Sequence, residues 1–154
     1  MTGSRTYQSF VYRGASFRIC CERFDAVTDE IVRQRHILEA YLESHPEFGH
    51  SFLPLDVHQD APDVARRMAK AAAPVGVGPM AAVAGVMAEL AGWAGLDAGA
   101  EEAIIENGGD IFLVLEEPAV VGLYAGERTP ANRLAFSIQP ESTPLAVCSS
   151  SSMM

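Results

Sequence analysis

The segment from Gly76 to Leu90 most constrains the fold, because it joins a glycine-rich turn to a helix that is apolar on nearly every side. Pro79 suits the first position of that helix, where its missing N–H removes no hydrogen bond. A helix of this kind lies at the centre of a domain or spans a membrane. Glu89 and an expected end near Gly92 to Gly95 leave it short for a bilayer, so we predict a core helix.

The length and charge of the chain predict one domain over residues 1–154 and exclude several partners. The 154 residues are 49% hydrophobic, which is enough for a single core. A formal charge of −9 without a stripe of Lys or Arg indicates that the protein binds neither nucleic acid nor a membrane surface. The first residues lack a secretory signal and the cysteines lack metal or dithiol spacing, which predicts a cytoplasmic protein with reduced thiols.

Residue periodicity predicts three main helices and a largely antiparallel sheet. Helical spacing predicts a first helix at 29–44 with Thr28 as its N-cap. A second helix begins after Asp60 as N-cap and runs to about residue 73, and the core helix covers 79–91. β-forming residues predict an N-terminal hairpin at 7–12 and 16–24, and strands at 103–106, 111–115, 120–125, 134–138 and 145–148. Because hairpin-length connections favour antiparallel pairing, the predicted class is α+β.

The first candidate binding element is the turn before the core helix, with Gly76, Gly78, Pro79 and Met80. Its glycines would expose successive N–H groups, and Pro79 would leave the amides of Met80 and Ala81 free to bind a phosphate. An ordinary tight turn into a buried helix accounts for the same residues, and the Lys of a Walker-type loop is missing. The sequence leaves both interpretations open.

The second candidate element is Asn107-Gly108-Gly109-Asp110, which lies between two apolar runs. A tight turn there would present the Asp110 carboxylate to a ribose hydroxyl or to a metal ion. Asn-Gly is also the commonest hairpin-turn dipeptide, and in that interpretation Asp110 caps the turn through its own backbone. Ser149 and Ser150 follow an apolar strand and offer hydroxyls and amides to a phosphate. The four histidines have irregular spacing and predict neither a metal site nor a catalytic base.

Four motifs, in this order along the chain, strongly resemble an uncharacterised bacterial and archaeal protein family related to ApbE. They are Gly76-Val-Gly-Pro-Met-Ala-Ala-Val-Ala-Gly85, Glu106-Asn-Gly-Gly-Asp-Ile-Phe112, Tyr124-Ala-Gly-Glu127 and Pro144-Leu-Ala-Val-Cys-Ser-Ser150. The wider ApbE group, once linked to thiamine biosynthesis, includes FAD:protein FMN transferases. Those enzymes use magnesium and move FMN from FAD onto a threonine of a target protein. The resemblance therefore implies an ApbE-like fold that binds FAD or FMN.

Individual residues can be compared with that group. Gly108, Gly109 and Asp110 look like the Gly-Gly-Asp of its flavin-site motif, and Gly85 looks like the Gly of its Ala-Lys-Gly segment. Ala84 stands where the transferases carry Lys. The family continues beyond the Cys-Ser-Ser strand into a part that resembles the magnesium-binding region. The resemblance therefore implies that the C-terminal part of the fold and the magnesium site lie beyond residue 154.

Two functions follow as hypotheses. The first is an ApbE-like protein that binds a flavin or another anionic nucleotide ligand in a cleft walled by residues 76–80 and 107–110, with Ser149 and Ser150 at the phosphate. The second is a non-catalytic fold relative that binds a small anion or a partner protein, which Ala84 in place of Lys favours. The sequence assigns no catalytic residue, gives only Asp110 as a metal candidate, and leaves a homo-oligomer open.

Overall fold

The chain begins with a β-hairpin, as its β-forming residues predict. The computed structural model describes residues 5–122 and 134–149. Strands β1 (Gln8–Tyr12) and β2 (Ala15–Cys21) pair antiparallel around Arg13 and Gly14. Both turn residues have positive φ, 46° and 81°, as the central residues of a type I′ turn require. The N-terminal hairpin is therefore confirmed.

Three long helices and one short helix follow along the chain: α1 (Phe24–Ser44), α2 (Pro46–His50), α3 (Asp63–Ala72) and α4 (Val83–Asp97). The prediction of Thr28 as N-cap is wrong, because α1 begins earlier and the Thr28 hydroxyl donates to the Asp25 carbonyl 3.1 Å away. The Asp60 N-cap is also wrong. Pro62 precedes the first turn of α3, while Asp60 lies in the loop before it.

Helix α4 is the core helix. A 3₁₀ turn at Pro79–Ala82 leads into it, and together they have the length and apolar composition of a membrane-spanning helix. The helix instead packs inside the domain against α1 and against the strands β3 (Ala103–Asn107) and β4 (Asp110–Val114). The helix continues to Asp97, two residues past the predicted end near Gly92 to Gly95. A Cβ on Gly92 would lie 2.4 Å from the Phe112 ring, so this glycine allows close packing rather than ending the helix.

The main sheet has five antiparallel strands in the order β1-β2-β3-β4-β7. Strand β3 (Ala103–Asn107) lies at its centre, β4 (Asp110–Val114) pairs with it, and β7 (Leu145–Cys148) forms one edge. A separate hairpin joins β5 (Ala119–Gly122) to β6 (Ala135–Ile138). The α+β class with a largely antiparallel sheet and three main helices is therefore confirmed.

Apolar side chains cover both faces of the main sheet. One face, with Ile105 and Phe112, packs against the helices in the larger core. The other face, with Ile104 and Leu113, packs against residues of the β5–β6 hairpin such as Ile138. Because successive residues of a strand point to opposite faces, β3 and β4 are buried from both sides and hold their connecting turn in a fixed position.

Candidate functional site

A cleft of about 1230 Å³ opens between α4 and the β4–β7 end of the sheet. Trp93 of α4 and Phe112 of β4 form an aromatic pair on its wall, with ring centroids 5.5 Å apart. Polar groups enter the cleft from the turn between β3 and β4. The lining comprises Ala71, Val75, Ala81, Ala82, Ala84, Gly85, Val86, Glu89, Trp93, residues 107–110, Phe112, residues 144–146, Cys148 and Ser149.

The turn between β3 and β4 is a two-residue hairpin turn. Asn107 pairs with Asp110 across it, and Gly108 takes the first central position with φ 64°. A hairpin turn is therefore present, but its central residues are Gly108 and Gly109, and Asn107 is the last residue of β3. The Asn107 side chain also has a structural task, because its buried Nδ2 donates to the Ala84 carbonyl 3.2 Å away and joins the turn to α4.

The Asp110 side chain lies between α4 and β7. A Cβ built on Gly85 would sit 3.6 Å from Asp110 Oδ2, so the carboxylate reaches the backbone of α4. Across the strand pair Asp110 faces Cys148. Burial raises the pKa of the Cys148 thiol, and the Asp110 charge and a hydrogen bond to Asp110 raise this pKa further. Cys148 is therefore a protonated thiol beside the carboxylate and not an activated nucleophile.

Ser149 joins the turn from the end of β7. Its backbone N and its Oγ both donate to the Gly109 carbonyl, at 3.1 Å and 3.3 Å. A Cβ on Gly109 would lie 2.2 Å from Ser149 Oγ, so a side chain at this position would force the Ser149 hydroxyl to turn away from the Gly109 carbonyl. Ser150 and the Tyr124–Glu127 motif lie outside the described residues.

The four residues of the first candidate element lie apart from this lining. Gly78 and Pro79 are buried, and a Cβ on Gly78 would lie 1.8 Å from the Ser51 carbonyl oxygen. The Ala81 amide, which the sequence left free for a phosphate, donates to the Gly78 carbonyl at 3.1 Å. Gly76 and Met80 do not line the cleft either. The structure thus brings residues 107–110 together with Ser149, while α4 supplies the opposite wall.

The charged side chains that line the cleft are acidic. Glu89 accepts a hydrogen bond from Arg67 at 2.9 Å, and Asp110 is the other carboxylate. Across residues 5–122 and 134–149, no group of three or more His, Cys, Asp or Glu side chains is placed to hold a metal ion. Magnesium is usually bound by one or two carboxylates together with ligand phosphates. Asp110 fits that role only as a partner of a bound phosphate.

Sequence reasoning missed the aromatic pair on the cleft wall. Trp93 is the single tryptophan of the chain and lies one helical turn after Glu89 on α4. Such a polar and aromatic pair marks one face of the helix. The many apolar residues around the rest of α4 concealed that face.

Comparison with known proteins shows which family these motifs represent. The family described as AbpE bacteria matches residues 18–154, which is most of the chain. The chain belongs to this family. AbpE family relatives named UPF0280 protein occur in Methanocella arvoryzae, 50% identical over 123 residues, and in Methanosarcina barkeri, 42% identical over 126 residues. These matches cover 80% and 82% of this chain, and 50% and 49% of the relatives. The chain thus spans about half the length of the curated relatives that it matches.

Proposed function

We propose that the cleft between α4 and β4 binds a planar, phosphate-bearing ligand, with FAD and FMN as the first candidates. One observation carries the proposal: residues 107–110, Gly85 and Ser149, distant in the sequence, gather in one mainly apolar cleft. Small-molecule sites have this organisation, in which apolar walls bury a ring and a few convergent polar groups fix its orientation.

The two ends of the cleft suit different parts of such a ligand. Trp93, which is half-buried, offers aromatic surface to a ring system, and the buried Phe112 packs beside it from the core. Asp110, a carboxylate, accepts hydrogen bonds from hydroxyls of a ribityl or ribose chain. The Cys148 thiol beside it has a raised pKa and stays neutral, so it adds no second negative charge. FMN and FAD combine a planar ring, a hydroxylated chain and phosphate, so their ring suits the aromatic wall and their hydroxyls suit Asp110.

Catalysis is a separate part of the proposal. Flavin would supply redox chemistry or a transferable FMN group, but no residue of the described cleft is placed as an activated nucleophile. A magnesium ion would bind Asp110 together with the phosphate oxygens of the ligand. We therefore propose ligand binding as the function of this chain, and flavin transfer only for the whole protein.

A flavin titration of the full chain tests the proposal. FAD and FMN are added with and without magnesium, and flavin fluorescence reports binding. Asp110→Ala removes a charged hydrogen-bond acceptor, so we expect affinity to fall about tenfold or more. Asp29→Ala, a change of an exposed carboxylate on α1, serves as the matched control and leaves affinity unchanged. Equal affinity of wild type and folded Asp110→Ala would contradict the site.

The acidic lining favours one alternative, a non-catalytic relative that binds a partner protein in the same cleft. Within the described ranges no Lys or Arg lines the cleft, and its walls are mainly apolar. This alternative predicts saturable protein binding without flavin binding. It also predicts that a threonine-containing peptide incubated with FAD and magnesium acquires no flavin. A flavin-labelled peptide would contradict it.

A further inference from the structure

A small pocket of about 130 Å³ lies among the β1–β2 hairpin, α1 and α4. Ala15 and Phe17 line it from one face of β2, and Ile31 and Arg35 line it from one face of α1, because residues two apart on a strand or four apart on a helix point the same way. The start of α4 closes the third side. The pocket is therefore formed where three elements meet.

This pocket is a separate space from the cleft. Of the described residues, Ala84 and Asn107 alone line both. The Asn107 Nδ2 donates to the Ala84 carbonyl at 3.2 Å, which closes the β3–β4 turn onto α4 between the two spaces. A ligand of the small pocket must therefore be recognised by the residues of that pocket.

The pocket has an apolar floor and a polar mouth. Phe17, Ile31 and Met87 are buried, whereas Tyr12 and Arg35 are half-buried and lie where the pocket reaches solvent. A buried water is held by two to four polar partners, which an apolar floor does not offer. The floor therefore suits an apolar group.

The charge at the mouth favours an anion. Within the described part of the chain, Arg35 is the one charged side chain of this lining. Glu39 accepts a hydrogen bond from Arg35 Nε at 2.8 Å and also pairs with Arg13, so two guanidinium groups share one carboxylate. Among the described residues, the two terminal nitrogens of Arg35 have no hydrogen-bond partner, and such a pair of parallel donors matches a carboxylate.

We propose that this pocket binds a small monocarboxylic acid. The carboxylate lies on the terminal nitrogens of Arg35, and a short apolar tail covers the floor. Because one cavity touches Arg35 and the floor residues Phe17, Ile31 and Met87, a single small molecule reaches them together. This site goes beyond the proposed function and does not depend on it.

The size and charge of the pocket define the class of acid. Its volume is smaller than the ~300–1,000 Å³ typical of sites for drug-sized ligands, so the tail is a branched alkyl group or a single ring. A phosphate fits less well. It brings a further oxygen and additional negative charge, and Arg35 is the one cation of the described lining.

Benzoate and benzamide form the matched probe pair, because they share the ring and nearly the same size but differ in charge. Each is titrated against the isotope-labelled full chain, and the amide chemical shifts of Ala15 and Val83, which line this pocket and not the cleft, report binding. We expect saturable shifts with benzoate and about tenfold or more weaker binding of benzamide. Arg35→Met should weaken benzoate binding about tenfold or more and leave benzamide binding unchanged.

Two further variants are controls for charge and for space. Arg33 is exposed on the same helix and pairs with Glu30, so Arg33→Met should bind both probes as wild type does. Ala15→Leu places a larger side chain in the pocket and should weaken both probes alike, as read at Val83. The dispersion of amide shifts checks that each variant is folded.

The outcomes decide the proposal. Loss of benzoate binding in Arg35→Met with benzamide binding retained cannot come from a general loss of structure and would support the site. Equal binding of benzoate and benzamide by wild type, or no saturable shift at Ala15 and Val83, would overturn it. Inorganic phosphate that binds as tightly as benzoate would overturn the requirement for an apolar tail. Flavin binding in the cleft is read from other residues, so its success or failure is separate.

Discussion

Asp110 and Cys148 form a coupled pair, and this coupling can be measured without any ligand. Because the Asp110 charge and its hydrogen bond hold the pKa of the Cys148 thiol above its usual range, in addition to the effect of burial, Asp110→Asn should lower that pKa. Alkylation by iodoacetamide follows the thiolate fraction, so the variant should react faster near pH 8. The pH profile of modification at Cys148, followed by mass spectrometry, gives the measurement.

The other cysteines provide internal controls in the same experiment. Cys20 is buried and Cys21 is half-buried, so their modification should be slow and unaffected by Asp110→Asn. An Asp29→Asn variant should match wild type at Cys148. An unchanged pH profile in Asp110→Asn would show that the carboxylate does not act on the thiol.

At the residue scale, the sequence grouped residues 107–110 with Ser149 as a hypothesis, but it did not predict the hydrogen bonds between Ser149 and Gly109. The turn at Gly108 depends on residues next to it, so its glycine pattern was sufficient. The approach of Ser149 to Gly109 joins residues 40 positions apart, and no local pattern records it. The turn at Gly78 lies outside the cleft lining, and the Ser51 backbone packs closely beside it.

At the element scale, two of the three glycines of α4 have opposite roles. Gly92→Ala would place a methyl group 2.4 Å from Phe112, so we expect overpacking to lower the free energy of unfolding by about 1–3 kcal/mol. The new methyl group of Gly85→Ala would meet only Asp110 Oδ2, at an ordinary distance of 3.6 Å. Because alanine favours the helix, this variant should raise the free energy of unfolding by up to about 1 kcal/mol. Urea denaturation of both variants measures the difference.

The two variants control each other, since both make the same substitution in the same helix. Equal stability of Gly92→Ala and Gly85→Ala would contradict the close packing of α4 on β4.

The contact between Gly92 and Phe112 also explains why the sequence misplaced the end of the helix. Glycine commonly marks a helix end, but at position 92 it makes room for an aromatic ring, and only the tertiary partner distinguishes the two uses.

At the scale of the whole molecule, Arg5 joins parts of the chain that are far apart in sequence. Its guanidinium donates to both Glu102 oxygens at 2.6 Å and 2.7 Å, and to the carbonyls of Glu117 and Pro118. Burial raises the pKa of Glu102, but hydrogen bonds from Arg5 and from backbone amides lower it more, so the net pKa lies below its usual 4.5.

A lowered carboxyl pKa stabilises the fold above the pKa of the unfolded chain, and that stabilisation disappears as the pH falls through the folded value. We therefore expect Glu102→Gln to lower the free energy of unfolding at pH 7 by on the order of 1–3 kcal/mol. The difference in unfolding free energy between wild type and Glu102→Gln should become smaller below about pH 4.5. Urea denaturation between pH 7 and pH 3 measures it.

Glu30→Gln is the matched control, because the pKa of Glu30 is also lowered but its partners, Arg33 and Gln34, lie on the same helix. We expect Glu30→Gln to lower the free energy of unfolding less than Glu102→Gln does, since such local pairs stabilise a helix by about 0.2–0.5 kcal/mol. A gap between wild type and Glu102→Gln that stays constant down to pH 3 would contradict the role of the Arg5 pair.

The hydrogen bonds from Ser149 to Gly109 close a loop of 40 residues across the floor of the cleft. Loops of this length lose conformational entropy when they close, and they close after local hairpins have formed. A molecule bound in the cleft would hold the loop shut, so its binding free energy would add to the stability of the β4–β7 pair. Ligand concentration would thereby control how often this edge of the sheet opens, and with it the lifetime of the protein against proteolysis.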